Sequence, residues 1–247
     1  MPHRRQNPSP MSRPPFETPP SADGGETAAL SPPRRIEARP DAGSLTQEQI
    51  KRTYGRYAPF YDQLFGAIYA HGRRRMAATL RSLTAQRVLE VGVGTGLTLD
   101  CYPASSRIVG IDLSVEMLAR AQRRAAALGL RDVELHIMNG EATPFADASF
   151  DCITVPYVLS ATPDPVRLVR ELRRLCRPGG TIVILNHFSG SRFWWLLEKA
   201  AQPLSSKVGF RSDFHFEEHV ARYDWEIQSV EPVNLFGLSR LVVIKNV

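Results

Sequence analysis

The residues of this 247-residue chain best suited to chemistry are the acids and glycines that begin at position 90. Residues 90–96 read EVGVGTG, at the end of a short apolar run. Glycines allow a backbone to approach a ligand closely and to adopt positive φ. Asp112 ends the next apolar run, 20 residues after Gly92. A carboxylate there can accept hydrogen bonds from both ribose hydroxyls of an adenosine, so the spacing predicts a nucleotide-like site.

Two classes of cofactor site share this geometry. Dinucleotide binders carry G-x-G-x-x-G, whose last glycine lets the helix that holds the pyrophosphate pack closely. Here Leu97 occupies that position, and Gly96 comes one residue earlier. The pattern E-x-G-x-G-x-G resembles instead the first motif of class I S-adenosylmethionine-dependent methyltransferases. The resemblance implies S-adenosylmethionine as cofactor, with Glu90 orienting its cationic methionine end directly or through water.

Two later segments extend this resemblance. Residues 112–118 read DLSVEML, and in the family an apolar residue such as Met117 lines the adenine pocket. Residues 138–145 read MNGEATPF, and Asn139 stands where many members carry an acid that contacts the adenine amine. The Asn139 side-chain oxygen can still accept from that amine. The expected cofactor-binding residues are therefore Glu90, Gly92, Gly94, Gly96, Asp112, Leu113, Met117, Asn139, Gly140 and Glu141.

Several short strings are similar to the bacterial phosphatidylethanolamine N-methyltransferases. These strings are YxxxYDxxFG at 57–66, EVGVGTGL at 90–97, VPYVLS at 155–160, CRPGG at 176–180 and ILNHF at 184–188. The resemblance covers residues 50–216. It implies methylation of the phosphatidylethanolamine headgroup, and of its mono- and dimethylated forms, toward phosphatidylcholine. A quinone precursor, another small molecule or RNA are alternative acceptors, and a non-catalytic nucleotide-binding protein is the alternative from another class.

Methylation of an amine needs a neutral nitrogen, and burial favours the neutral form of an amine. Tyr157, expected at the end of a strand, is the first candidate for binding the amine. His187 is the candidate base or proton relay, while Tyr57 and Tyr61 could close over the amine from a preceding helix. A cationic product would favour aromatic neighbours. For each of these four residues, ordinary packing in the core is the competing interpretation.

The secondary structure around these residues follows from the spacing of apolar side chains. Apolar runs that alternate with helical stripes predict an α/β fold with a Rossmann-like, doubly wound, mostly parallel sheet. Seven strands are expected, the last two forming an antiparallel hairpin. The predicted strands are 87–91, 107–112, 133–138, 150–155, 181–185, 225–233 and 241–245. Ligands of such sheets bind beyond the carboxyl ends of the strands, where the candidate residues lie.

The domain organisation follows from composition. Residues 1–44 hold ten of the 19 prolines and few large apolar side chains, which predicts a disordered tail. Residues 45–247 form the expected methyltransferase domain. Its first part, 45–83, has the apolar periodicity of amphipathic helices, with predicted helices near 46–58 and 59–70.

The net charge of +6 fits an anionic partner, either nucleic acid or a membrane surface. No RNA-binding module is recognisable, so nucleic acid is not expected. Residues 193–197 read FWWLL, which suits the interfacial zone of a membrane. The three cysteines match no zinc pattern, so we expect reduced thiols and no metal. The expectation is a cytoplasmic protein, peripherally bound at the inner membrane face, that meets a phospholipid substrate there.

Overall fold

The computed structural model describes residues 34–35, 66, 69–85, 87–188, 220–223, 225–234 and 237–247. Eight strands lie in one sheet: β1 (Arg34–Arg35), β2 (Arg87–Val91), β3 (Arg107–Asp112), β4 (Val133–Ile137), β5 (Phe150–Pro156), β6 (Cys176–His187), β7 (Glu226–Val233) and β8 (Ser239–Lys245). The longer described helices are α1 (Ala70–Arg81), α2 (Val115–Ala127) and α3 (Pro165–Leu175). A 3-10 turn spans Leu99–Cys101.

The order of strands in the sheet is β1-β4-β3-β2-β5-β6-β8-β7. Strands β2 to β6 pair in parallel, whereas β8 pairs antiparallel with β6 and with β7. This confirms the expected α/β architecture with its antiparallel C-terminal hairpin. Chain order runs in opposite directions on the two sides of β2, which makes the end of β2 a topological switch point. The segment 90–96 lies at that point.

The edge of the sheet beside β4 differs from the prediction. Arg34–Arg35 pairs in parallel with β4, opposite His136 and Ile137. This two-residue strand is additional to the seven expected strands. It lies within the predicted tail 1–44, whose other residues lie outside the described part of the chain. A free strand edge offers unpaired backbone groups that a passing extended segment can satisfy.

Strand β6 begins earlier than predicted. Residues 176–180, which precede the predicted strand 181–185, lie inside β6, where the register with β5 shifts between Phe150 and Cys152. Gly179 has a φ of 72° there. A bulge of this kind accommodates extra residues without ending the strand, and the sequence signal of a bulge is close to that of a turn.

The ends of α2 and α3 carry residue types that favour helix termini. The Ser114 side chain accepts a hydrogen bond from Met117 N at 3.2 Å and caps α2, while Gly129 follows that helix with a φ of 66°. Asp164 caps α3 by accepting from Arg167 N at 2.9 Å. The predicted helices near 46–58 and 59–70 lie almost entirely outside the described residues.

The central strands are buried on both faces. Leu89 and Ile153 belong to one apolar cluster, and Val88 and Cys152 belong to the other. Alternate residues of a strand point to opposite faces, so each strand contributes to both layers. Helix α3 contributes to the first cluster, and helices α1 and α2 contribute to the second. Among the described residues, no helix has the length and apolar content needed to cross a bilayer.

Candidate cofactor cleft and active site

The loop after β2, residues 92–96, is called the glycine loop, because its three glycines all have a positive φ. Gly92 has a φ of 72°, and a Cβ atom built on it would lie 2.2 Å from Val158 Cγ2. The backbone N–H groups of Gly92 and Val93 donate to Ile111 O at 2.8 and 3.0 Å. These bonds hold the loop against β3, and the missing side chain of Gly92 lets the Val158 side chain pack directly against the loop.

Asp112 joins this loop to the start of α2. Its Oδ2 accepts a hydrogen bond from Gly94 N, and its Oδ1 accepts one from Ser114 N, both at 2.9 Å. Burial raises the pKa of the Asp112 carboxyl, while the backbone hydrogen bonds act in the opposite direction. A carboxylate has about four acceptor positions, so each oxygen can also accept a ribose hydroxyl.

A cleft of about 880 Å³, including its opening to solvent, lies beyond the carboxyl ends of β2, β3 and β5. Its lining brings together eight of the ten residues expected to bind a cofactor. They are Gly92, Gly94, Asp112, Leu113, Met117, Asn139, Gly140 and Glu141, and Tyr157 lines the same cleft. Apolar walls with a few polar groups are typical of cofactor sites.

Gly96, also expected to bind the cofactor, does not line this cleft. It has a φ of 79°, and a Cβ atom there would lie 2.7 Å from Leu99 Cδ1 and 3.1 Å from Ala121 Cα. Glycine at this position therefore lets the loop pack closely on α2.

Glu90 also lies outside the cleft lining, buried beneath the loop with no exposed surface. Its carboxylate accepts hydrogen bonds from Thr98 Oγ1 and from the Tyr102 hydroxyl, the latter at 2.7 Å. Burial raises the pKa of Glu90 to about 7, although both hydrogen bonds lower it. Glu90 borders a second recess of about 410 Å³, which Tyr157 shares with the cleft. The sequence singled out Glu90 but not the two hydroxyls that position it.

At the other end of the cleft, polar side chains hold loops in place. Asn139 Oδ1 accepts a hydrogen bond from Glu141 N at 3.0 Å. Glu141 is buried, and its Oε1 accepts from Thr162 Oγ1 and from Asp164 N, the latter at 3.0 Å. Glu141 thus anchors the segment before α3, a role that its sequence position did not indicate.

An aromatic cluster, formed by Tyr69, Tyr157 and His187, lies where the cleft meets the second recess. The rings of Tyr69 and Tyr157 stack with centroids 4.4 Å apart, and His187 lies 4.9 and 5.0 Å from them. Tyr157 has a φ of 61°, which is unusual for a bulky residue. Such strain is found at functional sites when the surroundings hold it in place. Tyr157 and His187, both predicted for the acceptor site, are neighbours in the structure, and Tyr69, which was not among the predicted residues, packs against both.

Hydrogen bonds from Asn234 and Ser239 hold the aromatic cluster in place. Asn234 Nδ2 donates to the Tyr157 hydroxyl at 3.0 Å and to Ser239 Oγ at 2.8 Å. His187 Nδ1 lies 2.8 Å from Ser239 Oγ and 3.2 Å from Leu238 O. Burial raises the pKa of Tyr157 to about 12 and lowers that of His187 to about 4. Both rings are therefore neutral at pH 7. Tyr57 and Tyr61 lie outside the described residues.

Comparison with known proteins places this geometry in a family. A family model described as a methyltransferase domain matches residues 89–184. Over 193 residues the chain is 39% identical to the phosphatidylethanolamine N-methyltransferase of Cereibacter sphaeroides. The aligned region covers 77% of this chain and 94% of that protein. The chain belongs to the class I S-adenosylmethionine-dependent methyltransferases. This methyltransferase is also 34% identical to the demethylmenaquinone methyltransferase of Roseiflexus sp. over 147 residues, 56% of this chain and 60% of that one.

Among solved structures, the methyltransferase resembles the geranyl diphosphate C-methyltransferase of Streptomyces coelicolor, determined with S-adenosyl-L-homocysteine. The TM-score is 0.62 at 14% identity, over 84% of this chain and all of that one. The shared fold confirms the expected sheet architecture.

The methyltransferase uses S-adenosylmethionine, and the residues of the cleft fit that cofactor. Asp112 suits the ribose hydroxyls, and Met117 and Leu168 offer an apolar lining for a purine. Glu90 lies under the glycine loop on the side of the second recess. When bound there, the cofactor supplies a methyl group activated by a sulfonium.

Proposed function

We propose that this methyltransferase methylates the amine of the phosphatidylethanolamine headgroup, and of its mono- and dimethylated forms, to yield phosphatidylcholine. The observation that carries the proposal is the 39% identity along 94% of the Cereibacter sphaeroides phosphatidylethanolamine N-methyltransferase. Near-complete coverage means that the resemblance includes regions outside the cofactor motif, where acceptor contacts must lie. The aromatic cluster supports it on chemical grounds.

The acceptor nitrogen must lose its proton before it attacks. A lysine-like amine has a pKa of about 10, so its neutral form costs about 4 kcal/mol at pH 7. The aromatic cluster offers an apolar, uncharged environment, because Tyr157 and His187 are both neutral. Such surroundings favour the neutral amine over the ammonium.

The two polar groups of the cluster differ in what they can do with that proton. His187, with a pKa of about 4, is too weak a base to retain it, so its role is to relay the proton to water. Tyr157 keeps its own proton, and its oxygen accepts from Asn234. The Tyr157 hydroxyl can therefore orient the amine without becoming charged.

The products of successive methylation carry a permanent positive charge from the third step. Aromatic faces attract such quaternary cations, an interaction worth about 0.5–2 kcal/mol. The three rings are in contact with one another, so the cationic group would lie against an outer face of the cluster, where Tyr69 and Tyr157 border the second recess.

The proposed partners are a phospholipid substrate and an anionic membrane surface. The protein would bind peripherally to the inner face of the membrane. The net charge of +6 supports an anionic surface. The aromatic helical segment near 54–68 and the segment 193–197 are the proposed points of contact, and apart from Gly66 both lie outside the described residues. We propose no nucleic-acid partner.

A second candidate acceptor is the ring carbon of a quinone precursor. The 34% identity to the Roseiflexus demethylmenaquinone methyltransferase favours it, although that match covers only 60% of the relative. An aromatic ring could also lie against the Tyr69–Tyr157 stack.

One assay separates the two acceptors. The purified full chain would be incubated with methyl-labelled S-adenosylmethionine and liposomes that contain phosphatidylethanolamine, demethylmenaquinone or neither. We expect label in the mono-, di- and trimethylated lipids. Label in the quinone alone, with none in any ethanolamine lipid, would reject the proposal. Liposomes of phosphatidylcholine alone serve as the blank.

A further inference from the structure

A basic recess, formed by Arg73, Arg74, Arg81 and Arg124, lies outside the cofactor cleft. Its first three arginines come from α1, and Arg124 comes from α2. The recess encloses about 890 Å³, including its opening to solvent. Leu97 forms part of its wall.

Two of these guanidinium groups are held in place by backbone carbonyls. Arg73 Nη2 donates to Gly66 O, and Arg124 Nε donates to Thr95 O at 3.1 Å. A guanidinium has five N–H donors, so the Gly66 carbonyl does not use all of those of Arg73. Because Thr95 belongs to the glycine loop, the recess adjoins the cofactor site through Arg124.

The charge of the recess is not balanced by its own lining. Asp100 is the one acid among the described residues that line it. Arg75, the next residue along α1, is instead paired with Glu231 through two hydrogen bonds of 2.7 and 2.9 Å. Clustered cations of this kind create a positive potential that concentrates anions.

We propose that the basic recess binds the phosphate group of a phosphate ester. Guanidinium forks match phosphate oxygens in geometry and charge. The volume exceeds the needs of a bare phosphate, and Ala70, Ala77 and Leu97 offer apolar walls for the organic part of an ester. The proposal goes beyond the methyl acceptor and does not depend on its identity, because it concerns binding alone.

The ester can come from a lipid headgroup or from a soluble molecule, and two probes distinguish these sources. Titration calorimetry with sn-glycerol 3-phosphate tests the soluble source. Co-sedimentation with phosphatidylcholine vesicles, with and without phosphatidylglycerol, tests the lipid. The variant Arg74→Gln/Arg81→Gln alters two recess residues that lie outside the catalytic machinery. Arg123→Gln/Arg170→Gln makes the same change of charge at exposed arginines elsewhere.

We expect the recess variant to bind at least one probe about 10-fold more weakly, and the control variant to stay within about twofold of the wild type. Weaker binding of glycerol phosphate assigns the recess to a soluble ester, and weaker binding of vesicles alone assigns it to a headgroup. Equal losses in both variants, or no binding of either probe, would overturn the proposal. These readouts need no methyl transfer, so they are independent of the acceptor assay.

Discussion

Asp112 connects two backbone segments that the chain separates by about 20 residues. One carboxylate oxygen holds Gly94 in the loop after β2, and the other holds Ser114 at the start of α2. The same carboxylate faces the cleft. Asp112 therefore supports the loop, and the same side chain is the proposed ligand for the ribose.

The variant Asp112→Ala is expected to bind S-adenosyl-L-homocysteine about 10- to 100-fold more weakly, because each hydrogen bond to a charged group is worth about 1.5–3 kcal/mol. Titration calorimetry measures this change. Asp132→Ala, the same truncation at an exposed carboxylate next to β4, is the control and should bind as the wild type does. Unchanged affinity in a folded Asp112→Ala protein would contradict the ribose role.

Residues with local signals could be recognised from the sequence, and residues that act across the fold could not. Asp112 and Gly92 belong to a motif with a fixed spacing. Asn234 reaches Gly72 N at 2.7 Å, although 162 positions separate them in the chain. No short pattern around Asn234 indicates that it supports the Tyr157 hydroxyl.

Among the secondary-structure elements and their connections, the loop after β2 most constrains the cleft. Gly92 combines a positive φ with a position at which the Val158 side chain already occupies the space that a Cβ atom would need. Gly129, after α2, has a similar φ of 66°, but a Cβ atom built on it would have no neighbour within 4 Å. An alanine at Gly129 would introduce backbone strain alone, whereas an alanine at Gly92 would introduce both backbone strain and a steric collision.

The variant Gly92→Ala is expected to reduce cofactor affinity at least about 10-fold, because an alanine methyl must displace Val158 into the cleft. Gly129→Ala should lose about 1–2 kcal/mol of unfolding free energy from strain alone and keep its cofactor affinity. Urea unfolding and titration calorimetry measure the two quantities. Normal affinity in Gly92→Ala would show that the collision is relieved away from the cofactor site.

Strands β2 and β3 were predicted correctly because a buried parallel strand has a local signal, a short apolar run. The caps of α2 and α3, at Ser114 and Asp164, are local as well, since each acts within three residues. The extra pairing of Arg34–Arg35 and the early start of β6 were missed. Both depend on a neighbouring strand, which local sequence does not specify.

For the molecule as a whole, two buried groups oppose each other in the pH dependence of stability. Burial raises the pKa of Glu90 from 4.5 to about 7, so the folded state binds that proton more tightly and stability falls as pH rises from about 4.5 to 7. Burial lowers the pKa of His187 from 6.5 to about 4, so stability falls as pH drops from about 6.5 to 4.

The variant Glu90→Gln removes one of these two contributions. Its unfolding free energy, measured relative to the wild type without cofactor, should rise by about 3 kcal/mol between pH 4.5 and 7.5, at about 1.4 kcal/mol per pKa unit. Urea unfolding at several pH values provides the measurement. Glu226→Gln, at an exposed position of β7, should show no such trend. A flat difference for Glu90→Gln would mean that the buried carboxyl titrates normally.

The α/β class, the cofactor motif and the position of the cleft could all be established from the amino-acid sequence, because periodicity, caps and the glycine spacing act over a few residues. The folded chain was needed to show that Gly96 packs on α2, that Glu90 lies beneath the loop, and that Tyr69 joins Tyr157 and His187 over Asn234. The members of the aromatic cluster and Asn234 come from segments far apart in the chain, and the packing of the sheet and helices brings them together.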